Sequence, residues 1–468
     1  MAEDRKTRPS LSRQLLPAVH GLLARPLSSY YLLLASSGML LLIGLTMVFS
    51  ATSVQAYAQN GNAFSSIGKQ VIYALLGLVG FWVCQRLPAR TLRAAGKYVL
   101  GTSIVLLAIL GILDLYGKII DLPSTAYPQI GPFRAEFLWL YIGPLGVQPS
   151  ELAKLGMILW VADLITRKGP ALAHWRELAM PLFPVVGLLF VLVGFNDLGT
   201  MLVLLALVVG LLWTAGVRLR VFGALGVLGL AGVGLLIAAA SRGAGSGTAG
   251  AENYRFARIT NWIRPPEDCD LGACYQLLQG RSAIYEGGWF GVGLGKSALK
   301  WDWLPEADND FIYAVVAEEL GVVGCAIVLA LFSVLAYTGF RIARRSQDPF
   351  RRLAAAGITT WLVAQAVINI GGVVGLLPIT GLPLPFISSG GSALVVTMAG
   401  VGMLASFARA EPDAARALHA RPSPRWVRLV WAPLPPLPPP RRPGPERPAA
   451  TKAGTRTPAR SSGGERRR

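Results

Sequence analysis

The chain has 468 residues, 53% of them hydrophobic and 15% charged, with a mean hydropathy of +0.50. That balance excludes a water-soluble globular protein of ordinary composition and places most of the chain in lipid. The formal net charge of +19 gathers in the segment after Arg409 and in short connections between apolar stretches, which fits anionic lipid headgroups as partner and not nucleic acid.

A helix needs about 20 mostly apolar residues to cross the hydrocarbon core. Windows of that kind predict ten spans, near 30–51, 70–86, 97–116, 152–166, 178–195, 198–216, 220–240, 311–339, 353–376 and 390–408. The first is too long, and too poor in small residues for a cleavage site, to be a removable signal peptide. The expected fold class is therefore all-α. It comprises a basic N-terminal segment 1–28, a ten-helix membrane domain 29–409 with a large extracytoplasmic loop at 241–310 between helices 7 and 8, and a disordered Pro/Arg-rich tail 410–468.

Lys and Arg sit on alternate connections. Arg5, Lys6, Arg8, Arg13 and Arg25 precede the first span, Arg86, Arg90, Arg93 and Lys97 fill the second connection, and Arg167, Lys168, Arg218 and Arg220 follow. The positive-inside rule then puts both termini in the cytoplasm and the connections near 52–69, 117–150, 195–198, 241–310 and 377–389 outside. All three histidines, His20, His174 and His419, fall on the predicted cytoplasmic side. An outward Ser/His/Asp site or a His-bearing zinc hydrolase is thereby excluded, leaving carboxylates, a lysine and backbone dipoles.

Residue types costly in lipid converge on the outward face. Gln148-Pro-Ser-Glu-Leu-Ala-Lys154 opens the fourth span: Pro149 and Ser150 suit a helix start, Glu151 suits its positive end, and Lys154, one turn deeper, needs an anionic partner unless it snorkels to the interface. Asn196-Asp-Leu-Gly-Thr200 makes a tight corner in which Asp197 serves either function or the turn itself. The connection Leu377 to Gly391, with Thr380, Ser388 and Ser389, strings Pro and Gly through an apolar setting, where irregular backbone must be walled by protein.

The long loop carries Arg255 and Arg258, a glycine run Gly291-Val-Gly-Leu-Gly-Lys296, and Glu306, Asp308 and Asp310 before the eighth span, with Glu318 and Glu319 about two turns deeper. The glycine run mimics a phosphate-binding loop but lacks its strand context, so tight loop packing is the better account. Partial burial would favour protonation of Asp310, a cation such as Lys154 would oppose it, and the balance suits a base; a simple helix cap is the alternative. Cys269 and Cys274 share this loop and are a disulfide candidate; Cys84 and Cys325 lie within spans and receive no function.

No nucleotide sugar reaches this face, so a bond-forming enzyme here needs a donor already activated on lipid. Lys154, Arg255 and Arg258 could hold a pyrophosphate leaving group while a carboxylate takes a proton from an attacking hydroxyl. Several motifs stand in order: Val48-Phe-Ser-Ala-Thr52, Gly143 to Lys154, Asp197-Leu-Gly-Thr200, Leu304 to Gly321 and Thr380 to Gly391. In these the chain, from about Tyr30 to Arg409, resembles the SEDS proteins (shape, elongation, division and sporulation), most closely their FtsW branch.

The resemblance implies a ten-helix peptidoglycan glycosyltransferase of the bacterial cell membrane that polymerises lipid II at the division septum with inversion and releases undecaprenyl pyrophosphate. It implies no obligatory cofactor, with a divalent cation (Mg or Mn) as an optional aid. Its partners would be lipid II and the growing lipid-linked glycan, a class B penicillin-binding protein transpeptidase, other division proteins and membrane lipid.

The family's catalytic aspartate falls on Asp310 and its fourth-helix lysine on Lys154. The substrate-binding set is expected to include Gln148, Ser150, Glu151, Asp197, Arg255, Arg258, Glu306, Glu319, Thr380, Ser388 and Ser389. The chain departs from the family in carrying Asp308-Asn-Asp310 where a histidine usually begins that triplet, and Ser388-Ser-Gly-Gly391 where a tyrosine usually follows the serine. Arg134 and Trp139 are stand-ins for an Arg-Trp-Ile before the fourth span. A lipid II flippase, a RodA-type elongation enzyme and an inactive scaffold are the competing readings.

Overall fold

A computed structural model describes residues 24–120, 127–169, 175–227 and 271–437, apart from 137, 144, 195, 196, 218 and 302, with a few isolated positions besides. Its helices are α1 (Ser28–Asn60), α2 (Ser65–Arg86), α3 (Ala89–Ile119), α4 (Pro149–Lys168), α5 (Trp175–Gly194), α6 (Leu198–Thr214), α7 (Leu271–Gly287), α8 (Ile312–Arg345), α9 (Pro349–Val373), α10 (Ser392–Arg409), α11 (Pro412–Ala420) and α12 (Arg425–Val430). Six of them, α1, α2, α3, α8, α9 and α10, are long and apolar enough to cross a membrane, and α5 and α6 contain shorter apolar stretches, Ala179–Gly194 and Gly199–Thr214. Residues 219–227 are helical, but most of the predicted span at 220–240 lies outside the described residues, so the count of ten extends beyond them.

The centre of the bundle follows from burial. In α9 and α10, 67% and 78% of the apolar window is buried, against 22% and 28% in α2 and α3, so the first pair forms the middle and the second the lipid-facing rim. Lipid tails are as apolar as leucine, so small residues that let backbones close up supply the packing. A Cβ on Gly402 of α10 would lie 2.3 Å from the Phe81 carbonyl of α2, and one on Gly156 of α4 would lie 2.7 Å from the Leu100 nitrogen of α3.

The fold is mostly helical, as expected, but not purely so: within the predicted outward connection 117–150, β1 (Gln129–Ile130), β2 (Phe133–Glu136), β3 (Trp139–Ile142) and β4 (Leu145–Val147) form an antiparallel meander in sequence order. Its signal was short. Gly131 and Gly143 take left-handed φ values in the turns, and Phe133, Trp139 and Tyr141 lie in the two central strands.

Nor is the chain disordered from residue 410. α11 and α12 follow the bundle, and the segment after α12 docks on it. Trp431 Nε1 donates to the Tyr30 hydroxyl (2.7 Å), Gln85 Nε2 donates to the Trp431 carbonyl (3.2 Å), and Arg409 donates to the carbonyls of Ala432 (3.3 Å) and Pro433 (3.1 Å). Hydrogen bonds to α1, α2 and the end of α10 hold this stretch against the bundle, while Trp426, Leu429 and Val430 stay exposed. Residues 438–468 lie outside the described residues.

The glycine run also has a structural account. α8 is broken at Gly321, whose φ of 66° and ψ of −165° leave the helix. Backbone of residues 288–293 bonds across the break: Val322 and Val323 N–H donate to the Gly288 and Trp289 carbonyls, and Val292 and Gly293 N–H donate to those of Glu318 and Glu319. A Cβ at Gly287 would stand 1.9 Å from the Ala317 oxygen, so the close approach requires glycine.

Candidate active site

The start of α4 follows its sequence rules, with Pro149 in the first turn and Glu151 near the positive end. The depth of Lys154 was not foreseeable: Glu151 and Lys154 are both 0% exposed, which excludes snorkelling. The Lys154 ammonium donates to Glu151 Oε1 (2.7 Å) and to Gln365 Oε1 of α9 (2.8 Å), and stands 5.8 Å from the centre of the Trp361 ring. The ion pair sought for Lys154 thus includes its own neighbour on α4. Gln365 is held in turn, its oxygen also accepting from Trp361 Nε1 (2.8 Å) and its amide donating to the Pro383 carbonyl (2.9 Å).

One turn along α9, Asn369 repeats the pattern toward Asp310. Its Nδ2 donates to the Asp310 carbonyl (2.8 Å) and to the Leu382 carbonyl (2.7 Å). Gln365, bonded to Lys154, and Asn369, bonded to the Asp310 backbone carbonyl, therefore stand on successive turns of one buried helix. Both amides also grip the irregular stretch at Leu382 and Pro383. Sequence reading missed Gln365 and Asn369. Two amides four residues apart in an apolar span were a signal, since polar side chains at that depth must be partnered.

The outward loops lock to one another. Ser388 Oγ donates to the Asn309 carbonyl (2.7 Å) and accepts from Leu384 N–H (2.7 Å), and Ser389 N–H donates to the Asp308 carbonyl (2.9 Å). Residues 382–388 are buried, as irregular backbone at membrane depth must be. Asp310, Asn369, Gly372, Ile379, Thr380 and Leu382 are among the residues lining a small pocket.

Asp197 caps α6, accepting from Thr200 N–H (2.8 Å), so the turn-forming account of it holds. Burial pushes its carboxyl up from the usual aspartate range, against the Thr200 bonds and the nearby Lys154 charge. The motif reaches the site nonetheless, because a Cβ on Gly199 would meet Thr380 at 2.8 Å and Leu382 at 2.6 Å. Asp308 is also pushed upward, first by burial and then by Glu306.

Other expected site residues are placed differently. Glu319 is 0% exposed and points inward: both its oxygens accept from Ser50 of the Val48–Thr52 motif (2.7 and 2.8 Å), and Lys300 lies 3.5 Å away. It anchors the glycine loop on α1, where the expectation was substrate contact. Gln148 is buried, its N–H bonded to Ser392 Oγ at the start of α10 (3.0 Å). Ser150 is buried beside Glu151, and Glu306 is exposed at a left-handed φ of 56°. Arg134 pairs with Glu136 (3.3 Å), while Trp139 packs on the Gly391 backbone position. Arg255, Arg258 and Cys269 lie outside the described residues; Cys274 is disulfide-bonded, and Cys84 and Cys325 are free thiols.

Among the described residues no group of three or more His, Cys, Asp or Glu stands together as a cation site, so no step is assigned to a divalent ion.

Comparison with known proteins gives a consistent picture. A family model described as "Cell cycle protein", covering the FtsW, RodA and SpoVE proteins, matches residues 31–412. A Mycobacterium tuberculosis protein named "Probable peptidoglycan glycosyltransferase FtsW" is 40% identical over 423 residues, 90% of this chain and 75% of its own. Stage V sporulation protein E of Bacillus subtilis is 34% identical over 374 residues, 79% of this chain and 94% of its own. Among solved structures, a chain of a peptidoglycan synthase complex that coordinates polymerization and crosslinking matches with a TM-score of 0.58 at 28% identity, over 81% of this chain and 97% of that one. The Thermus thermophilus rod shape determining protein RodA matches at 0.53 and 26%, over 81% and 96%.

Proposed function

The chain belongs to the FtsW/RodA/SpoVE family of cell cycle proteins, and from that premise we propose that it is a peptidoglycan glycosyltransferase polymerising lipid II for septal wall synthesis. The observation that carries the reading is the placement of the buried Glu151–Lys154 pair and of the Asp310 backbone against Gln365 and Asn369, on successive turns of α9, with Asp310 lining a pocket.

Asp310 takes the proton from the acceptor sugar's 4-hydroxyl as that oxygen attacks the donor's anomeric carbon. The bond from that carbon to the pyrophosphate oxygen breaks, the configuration inverts, and undecaprenyl pyrophosphate leaves. Lys154, held by Glu151 and Gln365, supplies positive potential at the back of the site, where phosphate charge develops. Gln148, Ser150, Asp197, Thr380, Ser388 and Ser389 shape the cleft, and Arg255 and Arg258 would meet the pyrophosphate from the long loop.

The charge asymmetry of the loops supports an outward-facing site with both termini in the cytoplasm of the bacterial cell membrane. A class B penicillin-binding protein is the proposed working partner; the similarity to a chain of a peptidoglycan synthase complex supports it. Any divalent cation would arrive with the lipid pyrophosphate. The test is purified protein with lipid II in detergent: glycan polymer is the expected product, whereas a flippase, lacking a membrane to cross, leaves lipid II unchanged.

A further inference from the structure

Resting on that reading, we propose that the carboxamide oxygen of Asn369 binds a sugar hydroxyl next to the attacking one and so orients the acceptor against Asp310. Asn369 is 5% exposed. Its orientation is fixed by chemistry. Two carbonyl oxygens, of Asp310 and Leu382, lie 2.8 and 2.7 Å from Nδ2, and the flipped amide would set oxygen against oxygen at both. The nitrogen's two hydrogens are thereby used, and Oδ1 is left with no hydrogen-bond partner among the described residues.

A buried amide acceptor left open requires explanation, because leaving it unsatisfied forfeits its full desolvation cost, which exceeds the net contribution of a made bond. Gln365, one turn away in the same network, shows the contrast: its oxygen accepts two bonds and its nitrogen donates to Pro383. The open acceptor of Asn369 also belongs to a residue lining the cavity that holds Asp310 and Thr380. A ligand group that donates a hydrogen bond there, in the pocket Asn369 shares with Asp310, is a hydroxyl flanking the nucleophile, on C3 or C6 of the acceptor sugar. Because the same side chain clamps the Asp310 backbone, binding that hydroxyl registers the acceptor on the base.

The experiment uses the full-length protein with its transpeptidase partner in detergent, and measures kcat/KM for transfer from labelled lipid II onto lipid-linked acceptors that are intact, 3-deoxy or 6-deoxy. The parental protein should prefer the intact acceptor to one of the two deoxy analogues by about tenfold. Asn369→Ala should lose about that factor on the intact acceptor and show no preference over that same analogue. Because the ratio is taken within one folded protein, a general loosening cancels from it.

Equal losses on all three acceptors would leave Asn369 a scaffold only and overturn the proposal, as would an N369A protein that keeps the parental preference, the outcome expected if a water fills the acceptor. Should N369A be inactive, Asn369→Ser carries the ratio. If both are folded and inert the proposal also fails, since one hydrogen bond does not account for total loss. A parental protein that makes no polymer instead refutes the polymerase reading itself, and the orientation role falls with it.

Discussion

Replacing Lys154 by Met separates its structural role from its chemical one. The ammonium and the Glu151 carboxylate are both fully enclosed and 2.7 Å apart. Methionine keeps most of the side-chain length but leaves Glu151 a buried carboxylate without its cation, and Glu151 Oε2 already lacks a hydrogen-bond partner among the described residues. Gln365 suffers less, because Trp361 still donates to its oxygen. Removing one member of a buried pair costs about 3–5 kcal/mol, whereas replacing both members by apolar residues of similar volume is about neutral or stabilising. Lys154→Met should therefore unfold well below the parental temperature in detergent, and Lys154→Met combined with Glu151→Leu should recover most of that loss. Polymerisation of lipid II should fall in both variants and stay low in the double one, because the positive potential is absent from each. If the double variant regained stability and parental activity together, Lys154 would be a structural ion-pair member and its phosphate role would be refuted.

Further outcomes follow from the same contacts. Gly321→Val should destabilise by about 1–3 kcal/mol, since it forces a β-branched residue to a φ of 66° against the Trp289 backbone, and should make the 288–310 loop more sensitive to protease. Trp431→Ala should lower the unfolding temperature by removing the bond to Tyr30 and the packing on Phe81, a loss of about 1–3 kcal/mol on denaturation in detergent. Asp308 is held above the usual aspartate range, so its folded form prefers the proton. Its contribution to stability is present below the ordinary aspartate value and is lost as pH rises through the raised one. Asp308→Asn should accordingly be more stable than the parental protein at pH 7.5, and thermal unfolding near pH 4 should show that advantage gone.

What could be read from residues alone divides by physical cause. Spans followed from composition, because lipid rewards long apolar runs whatever they pack against; each of the ten predicted spans overlaps described helical residues, that at 220–240 only over 220–227 and isolated positions beyond. The clusters at Lys154, Asp197, Asp310 and Ser388 were visible because ionisable groups and broken backbone are costly at that depth. The connections among them were hidden, since Gln365 and Asn369 resemble ordinary helical residues until the loops they bind are placed. The 129–147 meander escaped because strands of two to four residues carry little periodicity. The docked segment at 425–437 escaped because its short apolar run is set among Pro and Arg, and its partner surface lies some 350–400 positions away in α1 and α2. The bond from Ser50 to Glu319 was equally hidden, because the sequence places the two residues 269 positions apart.

The central claim is that Asp310 is the base of a sugar-transfer reaction. Its most direct measurement is the initial rate of lipid II polymerisation by purified Asp310→Asn, shown by its unfolding profile and monodispersity in detergent to be correctly folded, beside the parental protein. Loss of a general base predicts a fall of about 10²–10⁴-fold; an unchanged rate would contradict the account.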